Sequence, residues 1–146
     1  GPTYENTRIP NITGLTFEKL IQSLETAKVV FDFTTHVAAA NEKEGVVTSQ
    51  ESSANQYVPN YSRTSAEISL PQKQDESKFM GIFATQLPVY PYAVEMTLES
   101  SKDGIRNTIV TLKHTGGNVT IPYIAEKDSE LILSIAGRVV ARQTVE

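Results

Sequence analysis

The second half of the chain alternates apolar and polar residues in short runs separated by turn signals. Val94, Met96 and Leu98 alternate with polar residues, which is the pattern of a strand with one buried face. Asp103 and Gly104 follow, and an Asp-Gly pair is typical of a two-residue hairpin turn. The region therefore predicts antiparallel strands joined by hairpins.

Three more turn signals follow along the chain. Residues 115–118 contain a double glycine, residues 126–129 are mostly polar, and residues 136–137 separate two apolar runs. We interpret the C-terminal half as an antiparallel meander of three to four hairpins. One face of such a sheet packs on the core, and the other face meets water.

The N-terminal part contains one pattern that is typical of a helix, over residues 15–28. Its apolar positions follow the i, i+3, i+4, i+7 spacing of a single stripe. Residues 29–37 are rich in β-branched and aromatic side chains, which favour a strand directly after the helix. The stripe consists of Phe17, Leu20, Ile21 and Leu24.

The segments between these two regions give weaker signals. Residues 38–65 are rich in Asn, Glu, Gln and Ser, and they predict one or two short edge strands or a functional loop. Residues 66–70 and 79–84 predict short strands. Residues 87–92 contain two prolines, which cannot donate to a central ladder, so this segment predicts an extended connection.

Together these patterns predict a mainly β fold of the α+β class with one N-terminal amphipathic helix. Two arrangements of about seven to nine short strands stay open: an antiparallel sheet covered by the helix, or a β-sandwich. A chain of 146 residues suits one domain. We expect residues 1–2, Gly-Pro, to be a remnant of tag removal, and residues 3–146 to form a single globular domain.

Composition excludes several classes of function. The net charge of −4 argues against a general nucleic-acid binder, which usually has a basic face. The absence of cysteine excludes thiol catalysis and Cys-ligated metals. No stretch approaches the roughly 20 apolar residues that a transmembrane helix needs. The chain lacks a nucleophile elbow and a phosphate-binding loop, so we predict no cofactor and no bound metal.

The two histidines carry the enzymatic alternative. His36 and His114 each lie near the end of a predicted strand, and Asp32 is placed to share a strand face with His36. A small hydrolase would need one of these histidines as its base, held by a carboxylate. The simpler interpretation is a solvated strand face. The histidines are also 78 positions apart, which does not fit a local zinc motif.

Tyrosines outside the regular elements give the best indication of binding. Tyr57 and Tyr61 lie in the polar segment, while Tyr90 and Tyr92 lie in the proline-flanked connection. A tyrosine has an apolar ring and a polar tip, so exposed tyrosines make rigid contact surfaces for peptides, proteins or sugars. The alternative is that they cap the ends of the core.

We therefore predict a non-enzymatic, extracytoplasmic binding module that recognises a protein, peptide or glycan partner through these four tyrosines. It would be periplasmic, on the cell surface or secreted. The alternative is a structural subunit of a surface, secretion or phage assembly that pairs through the exposed strand edge of the C-terminal meander. The sequence does not define the oligomeric state.

Overall fold

The computed structural model describes residues 5–51 and 54–146, so Gly1-Pro2, which we expect to be a remnant, lies outside the described residues. These ranges contain nine strands and one α-helix, with a 3₁₀ turn at Glu76–Lys78. The strands are β1 (Asn6–Arg8), β2 (Val30–Val37), β3 (Val46–Gln50), β4 (Tyr57–Pro59), β5 (Arg63–Leu70), β6 (Phe79–Lys102), β7 (Ile105–Ala125), β8 (Glu130–Ile135) and β9 (Arg138–Thr144), and the helix α1 is Phe17–Thr26.

The strands form three sheets in the described part of the chain. Strands β1 and β4 make a small antiparallel pair. The second sheet has the order β2-β5-β3, in which β2 runs parallel to β5 and β3 runs antiparallel to it. The third sheet is antiparallel, with the order β7-β6-β8-β9. The predicted fold class, mainly β with one N-terminal amphipathic helix, is confirmed.

Helix α1 lies within the range that the apolar spacing predicts. The Thr16 hydroxyl accepts a hydrogen bond from the Lys19 backbone N–H (3.4 Å), which caps the first turn. The stripe residues Phe17, Leu20 and Leu24 are buried, and the helix packs against β7. Residues 27–29 then lead directly into β2, as the change to β-branched residues indicates.

The predicted hairpin turn at residues 115–118 is wrong. Strands β6 and β7 pair from Lys102 opposite Ile105 to Phe79 opposite Ala125, with an interruption at residues 90–93 of β6. The double glycine lies in the middle of β7, opposite the proline-containing stretch of β6, where the register shifts twice. Positive φ angles at the two glycines bend the strand without reversing it. The expectation that residues 87–92 are extended holds, but they belong to one long, bent strand.

The predicted meander is also only partly correct. The turns at residues 103–104, 126–129 and 136–137 are present. However, β8 pairs with β6, not with the strand that precedes it. Because β7 already pairs with the C-terminal half of β6 on one side, β8 pairs with that half on its other side. The strand order therefore does not follow the chain order.

The segment of residues 38–65 contains two short strands, β3 and β4, and the start of β5. The structure does not describe Ser52 and Ser53. This segment carries the chain from β2 to β5, and a parallel pair requires such a long connection. Nothing in the period-two pattern distinguishes a parallel pair from an antiparallel one, so this pairing was not predicted.

One contiguous cluster of buried residues joins the two large sheets and the helix. The Thr120 hydroxyl of β7 connects the sheets directly, because it accepts from the Phe33 N–H (2.9 Å) and donates to the Phe31 carbonyl (3.3 Å) on the free edge of β2. A single domain over residues 3–146 stays a prediction. Among the described residues no helix has the length and hydropathy to cross a bilayer.

Candidate functional site

An open groove lies on the outer face of the four-stranded sheet. Its volume is about 890 Å³. Strand alternation turns Thr97 of β6 towards this face, and cross-strand pairing places Ser134 of β8 beside it. Thr108 of β7 completes a floor of hydroxyl groups. The Thr97 hydroxyl also lies 3.1 Å from the Thr111 hydroxyl on the neighbouring strand. This hydrogen bond holds the Thr97 side chain in position at the floor.

Tyr92 stands at one end of the groove. Residues 90–93 have no partner residues on β7, because the register shifts between Val89 and Val94. Tyr92 therefore has no facing residue on the neighbouring strand, and it is 70% exposed. Apolar side chains of Ile135 and Val139 line the groove as well. The result is an aromatic and apolar rim over a polar floor.

Charged groups complete the groove. Glu99 of β6 accepts a hydrogen bond from the Arg106 guanidinium (3.0 Å), and both residues line the groove. Glu95 also lines it and lies opposite Lys113 in the β6–β7 register. Exposed ion pairs of this kind contribute less than about 1 kcal/mol to stability. They place hydrogen-bond donors and acceptors on the surface of the groove.

The structure brings three of the four predicted tyrosines to neighbouring cavities. Tyr92 lines the groove. Tyr90 is half-buried and lines an adjacent cavity, which shares Ile135 with the groove. Tyr61 lines a third cavity, which shares Glu95 with the groove. Tyr57 lies apart from these in the small β1–β4 sheet.

The environments of these tyrosines differ. The Tyr57 hydroxyl accepts a hydrogen bond from Arg8 Nε (2.7 Å), and the Arg8 guanidinium lies 4.9 Å from the centre of the ring. Tyr61 has a positive φ and donates its backbone N–H to the Lys28 carbonyl (2.6 Å). The Tyr90 ring packs against the backbone of Gly116. Only Tyr92 is both exposed and placed over the groove.

His36 lies between two carboxylates. Its Nε2 is 2.8 Å from Glu42, and its Nδ1 is 2.6 Å from Glu67. The hydrogen bond with Glu42 raises the pKa of His36 and lowers the pKa of Glu42. The two carboxylates contact opposite ring nitrogens. A metal ion bound to either nitrogen therefore could not also be bound by both carboxylates. In the described ranges no group of three metal-ligating side chains is arranged to hold a metal.

Asp32, the expected partner of His36, binds Arg63 instead. The Arg63 guanidinium contacts both Asp32 carboxylate oxygens, at 2.7 and 3.1 Å. It also donates to the carbonyls of Gly116 (2.9 Å) and Asn118 (2.5 Å) in the bend of β7. This network holds β2 and β5 against the bend in β7.

His114 is buried beside the same bend. Its Nδ1 accepts a hydrogen bond from the Gly116 N–H (2.9 Å), and its Nε2 has no partner among the described residues. Burial, together with the positive charge of Arg63, lowers the pKa of His114 from 6.5 to about 4, while Asp32 partly opposes this shift. The imidazole is therefore neutral at physiological pH.

The sequence predicted only part of the floor of the groove. The alternation in β6 predicts that Glu95, Thr97 and Glu99 share an outer face, and all three line the groove. The contribution of Ser134 and Val139 depends on β8 and β9 lying beside β6. No local pattern carries that pairing.

No protein-family model and no curated protein matches this chain. Among solved structures, it aligns with the entire extracellular region of the Ser/Thr kinase PrkC from Staphylococcus aureus. The alignment has 18% identity and a TM-score of 0.40, and it covers 98% of this chain and 52% of that one. The chain thus spans about half the length of that structure. A TM-score this low does not establish a shared fold or function.

Proposed function

We propose that this protein is a non-enzymatic, extracytoplasmic binding module, and that the groove on the outer face of the four-stranded sheet holds a protein, peptide or glycan ligand. The observation that carries the proposal is the exposed ring of Tyr92 above a floor of hydroxyl and carboxylate groups. An aromatic wall with a few polar groups beneath it is typical of ligand sites. Binding of this kind requires no metal or cofactor.

The groove has distinct chemistry at its rim and at its floor. The Tyr92 ring would pack on the apolar face of a sugar ring or on a peptide side chain. Thr97 and Ser134 would exchange hydrogen bonds with ligand hydroxyl or amide groups, and the Glu99–Arg106 pair would orient them. Tyr61 and Tyr90 would extend the contact into the adjacent cavities, whereas Tyr57 lies apart in the β1–β4 sheet and would not contact this ligand.

Replacing Tyr92 with alanine is the direct test of this proposal. A thermal-shift screen of glycans and peptides would first supply a ligand. Because an exposed aromatic anchor dominates such contacts, we expect Tyr92→Ala to weaken its Kd by roughly 30-fold, with little change in Tm. Isothermal titration calorimetry would measure the effect.

The matched control is Tyr57→Ala, which removes another exposed tyrosine (60% exposed) outside the groove. We expect this variant to bind as the unaltered chain does. Equal affinity of Tyr92→Ala and the unaltered chain would refute the groove as the binding site. An effect of Tyr57→Ala alone would move the site to the β1–β4 sheet.

Assembly through a strand edge is the second candidate function. Glutamine side chains cover one such edge, which precedes the predicted C-terminal meander. The first half of β6 pairs with β7 on one side only. On its other side, the Gln143 amide accepts from Ala84 N–H (3.2 Å) and donates to the Ile82 carbonyl (3.4 Å). The Gln74 amide binds the N–H and the carbonyl of Met80 at 3.0 and 2.8 Å. Each amide supplies the donor and acceptor that a neighbouring strand would supply.

The outer edge of β9, which belongs to the C-terminal meander, is open, because within the described ranges β9 pairs only with β8. If subunits assemble by strand addition, we expect Gln143→Ala to favour concentration-dependent dimers, since it uncovers the Ile82–Ala84 edge beside β9. Sedimentation equilibrium would detect them. Gln86→Ala is the control, since the Gln86 amide donates to the Asn118 side chain of β7 (3.1 Å) instead of covering the edge. A Gln143→Ala variant that stays monomeric at all concentrations would count against this candidate.

The geometry does not favour the hydrolase alternative. Both ring nitrogens of His36 face carboxylates, so the imidazole has no free nitrogen to accept a proton from a nucleophile. His114 is buried, and its Nδ1 already accepts the Gly116 N–H. Neither histidine lines the groove that contains Tyr92.

A further inference from the structure

A second groove lies between α1 and the arm formed by the end of β6 and the start of β7. Its volume is about 720 Å³. Isoleucines line it from both sides: Ile21 comes from the helix, and Ile109 and Ile124 come from β7. Ile105, beside the hairpin turn, is 66% exposed. A large apolar side chain so exposed at the margin of an apolar groove indicates a surface that packs against something else.

Acidic side chains surround these isoleucines. Glu18 and Glu25 lie on the helix side, Asp103 lies in the hairpin turn, and Glu126 follows β7. The single cation that lines the groove is Lys102. Its ammonium lies 3.5 Å from Glu126 and donates to the Lys127 carbonyl at 2.9 Å, so its charge is already engaged.

The groove therefore concentrates negative charge. It has four carboxylates and one ammonium, in a chain whose whole net charge is only −4. A concave surface lined with charge of one sign focuses its field and attracts ligands of the opposite sign. The remaining charges of the chain nearly cancel, so this face differs from the rest of the surface.

This groove differs from the one that contains Tyr92, and Thr108 is the one residue that lines both. Ser100 and Lys102 line the acidic groove, whereas Thr97 and Glu99 line the other. Since successive residues of a strand point to opposite faces, the two grooves lie on opposite sides of the β6–β7 arm.

We propose that the groove between α1 and the β6–β7 arm binds a cationic amphipathic segment of a partner protein. Apolar side chains of the segment would pack on the isoleucines, while its Lys and Arg side chains would face Glu18, Glu25, Asp103 and Glu126. Amphipathic segments commonly dock into apolar grooves in this way. The same carboxylates repel nucleic acids and anionic lipid surfaces, so the charge favours a peptide partner.

A designed peptide tests the proposal without a known partner. The probe is a fluorescently labelled helix about four turns long, with leucine on one face and lysine on the other. Its counterpart carries glutamate in place of lysine. We expect fluorescence anisotropy to show that the chain binds the lysine peptide and not the glutamate peptide. We expect the affinity to fall as salt is added.

Variants of the chain locate the binding. We expect the double variant Glu18→Lys and Glu25→Lys to weaken binding at least tenfold, which is about the effect of removing favourable charge and adding repulsion. The matched control is Glu44→Lys with Glu51→Lys, because both glutamates are exposed and lie outside the groove. Ile105→Ser removes an apolar contact without disturbing the core, and it should also weaken binding.

The outcomes are distinct. Weakening by the groove variants but not by the control pair would support the proposal. Equal weakening by both charge-reversed pairs would show attraction to net charge only, and would overturn it. The proposal would also be overturned if Ile105→Ser bound the lysine peptide as the unaltered chain does and moderate salt abolished binding, because charge alone would then explain the affinity. Tyr92→Ala should leave this binding intact, so the result is independent of the groove on the outer sheet face.

Discussion

Replacing Gly116 with alanine is expected to destabilise the protein by at least about 3 kcal/mol. Gly116 has φ +81°, and an added Cβ would overlap the Pro88 carbonyl oxygen and lie 2.9 Å from Cδ2 of Tyr90. The obstacle is backbone on the facing strand, so it cannot rotate away. The same residue donates to His114 and accepts from Arg63, and a shift of its backbone would disturb both contacts.

Gly137→Ala is the matched control for this prediction. Gly137 also has a positive φ, +75°, but nothing lies within 4 Å of an added Cβ. Only the conformational cost remains, which is about 1 kcal/mol. Urea denaturation would measure both variants. Equal losses would show that β6 and β7 do not approach closely at the bend.

Lowering the pH from 7 to about 4 is expected to remove roughly 3 kcal/mol of stability through His114 alone. Burial and the charge of Arg63 hold its pKa at about 4, against 6.5 when it is exposed. Above pH 6.5 both the folded and the unfolded chain carry a neutral imidazole. Below it, the unfolded chain binds a proton that the folded chain does not, so stability falls until the pH reaches the folded pKa.

The range from pH 6.5 to about pH 5 isolates this effect, because most carboxylates titrate lower. His36 does not interfere there. Its pKa is raised, so its stabilising effect is complete below pH 6.5 and is lost only as the pH rises through the folded pKa. We expect His114 to contribute roughly 2 kcal/mol over this range.

Two variants and one direct titration check the assignment. His114→Asn keeps an acceptor for the Gly116 N–H but does not titrate, so its stability should change little over this range. His36→Gln should retain the slope of the unaltered chain. Nuclear magnetic resonance titration of the His114 ring would give its folded pKa without a variant. A value near 6.5 would contradict the prediction.

Local patterns predicted the elements of this fold well because the signals are themselves local. The stripe of Phe17, Leu20 and Leu24 identifies the helix because these side chains share one face. The Asp103-Gly104 turn was found because positive φ angles favour this pair. The prediction of a hairpin turn around Gly116 was wrong for a related reason. Two adjacent glycines suit a bend in a strand as well as they suit a turn, and only the partner strand decides between them.

The candidate site was less predictable than the fold. The sequence drew attention to four tyrosines, and the structure places Tyr92 alone as an exposed ring over a groove, with Tyr61 and Tyr90 in adjacent cavities. The difference lies in long-range packing. Tyr90 packs on Gly116 across the facing bends, and Tyr57 contacts Arg8 in the separate β1–β4 sheet. Both contacts join residues far apart in the chain.

The sequence by itself determined the mainly β class, the single amphipathic helix, the outward face of β6, and the absence of cysteine chemistry. Each of these depends on residue type or on spacing within one element. The tertiary structure decided the parallel pairing of β2 with β5, the position of β8 beside β6, and both grooves. Those features depend on which surfaces meet, and the energy of such contacts comes from residues that no local pattern connects.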